Sequence, residues 1–104
     1  MKDVLNDVDA WIARGDDVAI ATVVATRRSA PRPRGAKMAV SSTGEISGAV
    51  SGGCVEGAVV AECEDVLAGG KPRLLDYGIT DDEAWEVGLQ CGGEISVWVE
   101  KYQP

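Results

Sequence analysis

The chain contains no histidine and no phenylalanine, and only three cysteines. Without histidine it lacks the commonest general base, the partner of a Cys–His nucleophile and the imidazole of many zinc sites. Cys54, Cys63 and Cys91 show no Cys-x-x-Cys spacing, which argues against a structural zinc centre. An odd number of cysteines behind an N-terminus with acids at Asp3 and Asp7 fits neither a secretory signal nor a disulfide framework. The thiols are therefore expected to be free or to serve as ligands, in the cytoplasm. No apolar run approaches the roughly 20 residues of a membrane span, so no membrane partner is expected. Glycine-rich nucleotide motifs are missing too: there is neither Gly-x-x-x-x-Gly-Lys-Ser/Thr nor Gly-x-Gly-x-x-Gly after a strand. A formal net charge of −7 opposes nonspecific nucleic-acid binding.

Acid is itself missing from one stretch. Between Asp17 and Glu45 there is no Asp or Glu, whereas Arg27, Arg28, Arg32, Arg34 and Lys37, five of the ten lysines and arginines, fall there. Such a patch attracts one small anion in an otherwise acidic protein, or is simply a solvated loop.

What is present reads as a single α+β domain over 1–104. Val4, Leu5, Val8, Trp11 and Ile12 recur at helical spacing, giving a helix over about 3–14 that Gly15 ends. Val18 to Thr26 is continuously apolar or β-branched, the mark of a central strand buried on both faces. Pro31 and Pro33 place the basic patch on a loop. Lys37–Ser42 and Glu45–Val50 flank Thr43-Gly44 as a hairpin. Cys54 to Leu67 forms a helix stopped by Gly69-Gly70, with Cys63 a small core residue on its apolar side. Arg73–Tyr77 is a short strand. Thr80-Asp81-Asp82-Glu83 opens a further short helix through about Val87, and Glu94–Tyr102 alternates as a last strand. A hairpin followed by a helical crossover predicts a mixed sheet of about five strands with two to three helices. An exposed edge strand and Trp98 on the wetter face offer a surface for homodimerisation.

Two loops carry the same elements in mirrored order: Ser51-Gly52-Gly53-Cys54 between strand and helix, and Cys91-Gly92-Gly93 between helix and strand. Glycine lets a backbone approach a ligand and aim N–H groups at it, and a helix N-terminus adds partial positive charge. A cysteine in the first turn of a helix gains thiolate character, which suits a nucleophile or a soft-metal ligand. The plain alternative is that Gly-Gly closes turns and the cysteines fill space. In the absence of histidine, Glu56, Asp76, Asp81 and Asp82 are the candidate acid–base groups; the last two also fit as helix-start residues.

Ser29-Ala30-Pro31-Arg32-x-x-Gly35-Ala36-Lys37-Met38, Gly48-x-x-Ser51-Gly52-Gly53-Cys54-x-Glu56, Tyr77-Gly78-x-x-Asp81-Asp82 and Gly88-Leu89-x-Cys91-Gly92-Gly93 resemble, in order and spacing, the XdhC/CoxI family. The resemblance runs from about Val18 to Glu100. It implies a non-enzymatic maturation factor that binds the molybdenum cofactor, molybdopterin or its dinucleotide form. Such a factor assists sulfuration with a cysteine desulfurase and delivers the cofactor to an apo-enzyme of the xanthine or CO dehydrogenase type. Ser29, Arg32, Lys37, Ser51, Gly52, Gly53, Cys54, Cys91, Gly92 and Gly93 are then the expected cofactor contacts. Arg32 and Lys37 suit an anionic tail, and Cys54 and Cys91 a molybdenum or sulfur contact.

The family's long form continues into a Rossmann-like C-terminal domain that this sequence does not include. Arg28 stands where the family often has glycine, making this loop more basic. Two other readings remain at this point. One is a thiol or persulfide-transfer protein using Cys54 or Cys91; the other is a non-catalytic interaction module.

Overall fold

A computed structural model of the chain describes residues 2–27, 32–50, 55–77 and 94–103. Five strands and two helices are laid out in the order α1 (Lys2–Ala13), β1 (Val18–Arg27), β2 (Lys37–Ser41), β3 (Ile46–Gly48), α2 (Glu56–Leu67), β4 (Arg73–Tyr77) and β5 (Glu94–Lys101). The sheet order is β3-β2-β1-β5-β4. This is the α+β domain expected from the sequence. The further short helix expected after Thr80 lies outside the described residues.

One expectation is corrected. Every ladder in the sheet is antiparallel, so it is not mixed. The helical crossover does join two strands that point the same way, β3 and β4. They stand at opposite edges, however, with β2, β1 and β5 between them, and never pair.

Alternation along β1 explains the layering. Ala19, Ala21 and Val23 join Met38, Val40, Ile95, Val97 and Val99 in one cluster under Val55, Val59, Cys63 and Val66. Val18 and Ile20 join Ala39 on the other face, under Val4, Val8 and Trp11 of α1. β1 is thus covered on both sides over Val18–Ala21, while Val24–Thr26, the end of the same apolar run, are exposed. Each valine taken fully out of water contributes about 1.5–3 kcal/mol. Leu5, although in phase with the apolar face of α1, stays 37% exposed.

Both helices stop by the same device. Gly15 (φ 94°) and Gly69 (φ 110°) adopt the left-handed conformation that L side chains resist. Gly15 N donates to Ile12 O and Asp16 N to Trp11 O; Gly69 N donates to Val66 O and Gly70 N to Asp65 O. Each set is a Schellman closure that pairs carbonyls left over at the helix end.

Candidate functional site

Antiparallel pairing decides which segments share an end of the sheet. Arg27 lies opposite Glu94, and Tyr77 opposite Ile95. Lys37 lies opposite Thr22, and Gly48 opposite Met38. The end of β1, the starts of β2 and β5, and the ends of β3 and β4 therefore meet at one end of the domain. α2 starts there as well, because Glu56 in its first turn accepts a hydrogen bond from Val50 N at 2.9 Å. The segments 28–31, 51–54 and 78–93 all leave and rejoin the described fold at this end.

Of the expected contacts, Ser29, Ser51, Gly52, Gly53, Cys54, Cys91, Gly92 and Gly93 lie outside the described residues, as do Asp81 and Asp82. Their described neighbours Val50, Val55, Tyr77 and Glu94 are the residues brought together. α2 itself begins at Glu56, with Val55 in the N-cap position and no side-chain cap. It starts two residues later than the sequence pattern indicated, so the first-turn argument for a lowered Cys54 pKa is not carried by the described helix. The first-turn N–H groups still point toward this end.

Arg32 and Lys37 are both at this end, and they turn to different partners. The Arg32 guanidinium turns to Ala49, its Nε donating to the carbonyl oxygen at 3.4 Å. Lys37 lies on the face that carries α1, with its Nζ 2.8 Å from Thr22 Oγ1. On that face Lys37, Thr22, Trp98 and Leu74 form one row in register across β2, β1, β5 and β4. α1 covers only the β1–β2–β3 half of the face, which leaves Leu74 55% exposed. Val24, the extra residue of a β-bulge, is also exposed. The bulge shifts the register, and pairing with β5 continues through Ala25, Thr26 and Arg27.

The remaining candidate groups are explained by local structure. Asp76 accepts from Ser96 Oγ at 2.6 Å across the β4–β5 ladder, on the exposed face. Cys63 is fully buried, and burial, followed by the nearby Glu62 and Glu64 charges, pushes its thiol up to about 12. It is inert at neutral pH, as expected of a core cysteine. Burial likewise pushes the Tyr77 phenol up to about 12, with Glu62 and Cys63 adding to the effect. Among the described residues no group of three or more Cys, Asp or Glu is placed to hold a metal ion.

The opposite end is closed by direct bonds. Arg14 donates to Asp16 at 2.7 Å, to Thr43 Oγ1 at 3.0 Å and to the Glu45 carboxylate. Ser42 N donates to Asp17 O at 2.8 Å, and Asp17 N to Ser42 Oγ at 3.0 Å. An open depression of about 490 Å³ lies there between Ser41–Gly44 and Glu64, Leu67 and Ala68. It faces the carbonyl end of α2 beside a carboxylate, which is unfavourable for an anion.

One end of this α+β domain therefore gathers the start of α2 and the flanks of the segments 28–31, 51–54 and 78–93. The XdhC and CoxI family model matches residues 11–78, and the chain belongs to that family. It is 38% identical over 88 residues to the molybdenum cofactor insertion chaperone PaoD of Escherichia coli (strain K12), covering 84% of this chain and 27% of that protein. It is 32% identical over 96 residues to a probable xanthine dehydrogenase subunit from Bacillus subtilis (strain 168), covering 90% and 29%. A crystal structure named as a xanthine dehydrogenase from Bacillus halodurans superposes with a TM-score of 0.77 at 28% identity, covering 95% of this chain and 30% of that one. The chain thus spans less than a third of the length of each of these relatives. No helix among the described residues is long and apolar enough to cross a membrane.

Proposed function

We propose that this domain is a molybdenum-cofactor-binding chaperone: it holds molybdopterin or its dinucleotide at the loop end of the sheet and passes it to an apo-enzyme of the xanthine or CO dehydrogenase type. The observation that carries this reading is the meeting of Arg27, Val50, Val55, Tyr77 and Glu94 at one end of the domain. Through it the two Gly-Gly-Cys loops and the basic loop attach to one place. The name of the Escherichia coli relative supports the cargo. An anionic tail also suits a helix N-terminus, and α2 starts at this end.

In this reading the backbones of Gly52, Gly53, Gly92 and Gly93, together with Ser29 and Ser51, approach the cofactor. Cys54 and Cys91 contact its metal or sulfur. Arg32 borders the site from Ala49, while Lys37 attracts the anion from the neighbouring face. The domain binds, orients and protects a labile cargo and performs no chemistry of its own. Sulfuration is supplied by a cysteine desulfurase acting on the bound cofactor in the cytoplasm. Self-association through the edge strand β4 and Trp98 is part of the same proposal.

Anaerobic ultrafiltration with freshly released molybdenum cofactor tests this. Wild type is expected to retain cofactor, and Cys54→Ala, Cys91→Ala and Arg32→Ala to retain less. Retention no better than that of an unrelated acidic protein sinks the proposal.

A further inference from the structure

We infer that Glu56 is a positioning residue that fastens together the two flanks of the segment between β3 and α2, and is not an acid–base group. The functional half of this inference rests on the cofactor-binding reading above; the structural half stands without it.

Val50 is fully buried, and its backbone N–H lies beyond the last residue of β3, where no strand partner receives it. A buried N–H needs an acceptor. Glu56 supplies one from the first turn of α2, its Oε2 2.9 Å from Val50 N. One residue earlier, Ala49 O receives Arg32 Nε at 3.4 Å. The peptide unit that joins Ala49 to Val50 is thus gripped at both its C=O and its N–H by side chains from different elements, the approach to β2 and the start of α2. The Glu56 bond fixes the spacing between the end of β3 and the start of α2, the two points at which a ligand site there would be anchored. The helix N-terminus favours a carboxylate at position 56, so the same group is stabilised where it is needed.

Reach and charge separate cleanly. Gln keeps an acceptor at the same distance without the charge, Asp keeps the charge on a stem one methylene shorter, and Ala removes both. In full-length protein, amide exchange at Val50 followed by NMR is expected to be near wild type in Glu56→Gln. It should be faster by at least about tenfold in both Glu56→Asp and Glu56→Ala, while exchange in β1 is unchanged. Under the cofactor-binding reading, affinity for the molybdenum cofactor should be about tenfold weaker in Asp and Ala and restored in Gln, as expected for one lost hydrogen bond to a charged group.

Unchanged Val50 exchange in Glu56→Ala overturns the inference. Gln behaving like Ala overturns it as well, and faster Val50 exchange with no loss of affinity overturns its functional half. If wild type itself binds no cofactor, the proposed function fails, and the exchange measurements still decide the fastening role. Should Glu56→Ala fail to fold, Glu56→Asp against Glu56→Gln carries the same comparison.

Discussion

The two ends of this sheet are built from the same strands yet solve different problems. At one end the α1–β1 turn, the β2–β3 turn and the end of α2 are closed by short connections, glycine-terminated helices and an Arg14–Asp16–Thr43–Glu45 network. At the other end the connections are longer and carry glycine, cysteine and arginine, and the described bonds fasten their flanks. Closed turns satisfy their own polar groups and leave little for a ligand. Longer segments on a rigid frame are where binding residues are commonly carried. A stable end and a working end on one sheet is the account's central claim, and it can be broken from either side.

The largest expected effect is at Gly48, which pairs with Met38 beside the working end at φ 77°. A Cβ there would meet Lys37 O at 2.3 Å and Val4 Cγ1 at 2.6 Å. Gly48→Ala should destabilise by roughly 3–5 kcal/mol, from strain plus overpacking. Its counterpart Gly44, at φ 90° in the closed turn, has open space around it. Gly44→Ala should therefore cost only about 1 kcal/mol, the conformational penalty alone. Urea denaturation of both variants measures the difference; equal losses would mean the β2–β3–α1 contact is looser than described.

An intermediate effect is expected from alkali. The folded pKa values of Cys63 and Tyr77 are raised from 9.0 and 10.0 to about 12. Because the unfolded chain releases these protons first, their contribution is fully present below pH 9.0 and is lost as pH rises toward about 12. The urea midpoint should fall from pH 9 upward, and Cys63→Ala should show a shallower fall from a lower starting stability. A slope identical in wild type and variant would contradict burial of this thiol.

The smallest effect is expected at the closed end itself. Arg14 is 46% exposed at its side chain, so its pairs with Asp16 and Glu45 are screened by solvent. Arg14→Ala should cost about 0.5–1 kcal/mol. It should leave cofactor retention unchanged, which separates a stabilising network from a binding one.

Much of the frame was legible in the sequence because each signal was local. Gly15 and Gly69 marked both helix ends, the apolar run from Val18 marked the doubly covered strand, and Arg73–Tyr77 was found at its observed bounds. Pairing was less legible. A crossover helix fixes strand direction but not sheet position, so β3 and β4 were expected to bring parallel pairing and instead took opposite edges. At the site, spacing identified Arg32 and Lys37 as basic but could not tell that one turns to Ala49 while the other lies on the α1 face. Glu56 read as a candidate acid–base group because its partner is a backbone N–H, which leaves no trace in side-chain patterns. An acid in the first turn of a helix was the available signal.

Mapping amide shifts in labelled protein on anaerobic addition of molybdenum cofactor tests the central claim most directly. The account predicts shifts concentrated at Val50, Val55, Tyr77 and Glu94, with Ser42–Glu45 and Gly69 unmoved. Shifts concentrated around Ser41–Gly44 and Ala68, or spread evenly over both ends, would contradict it.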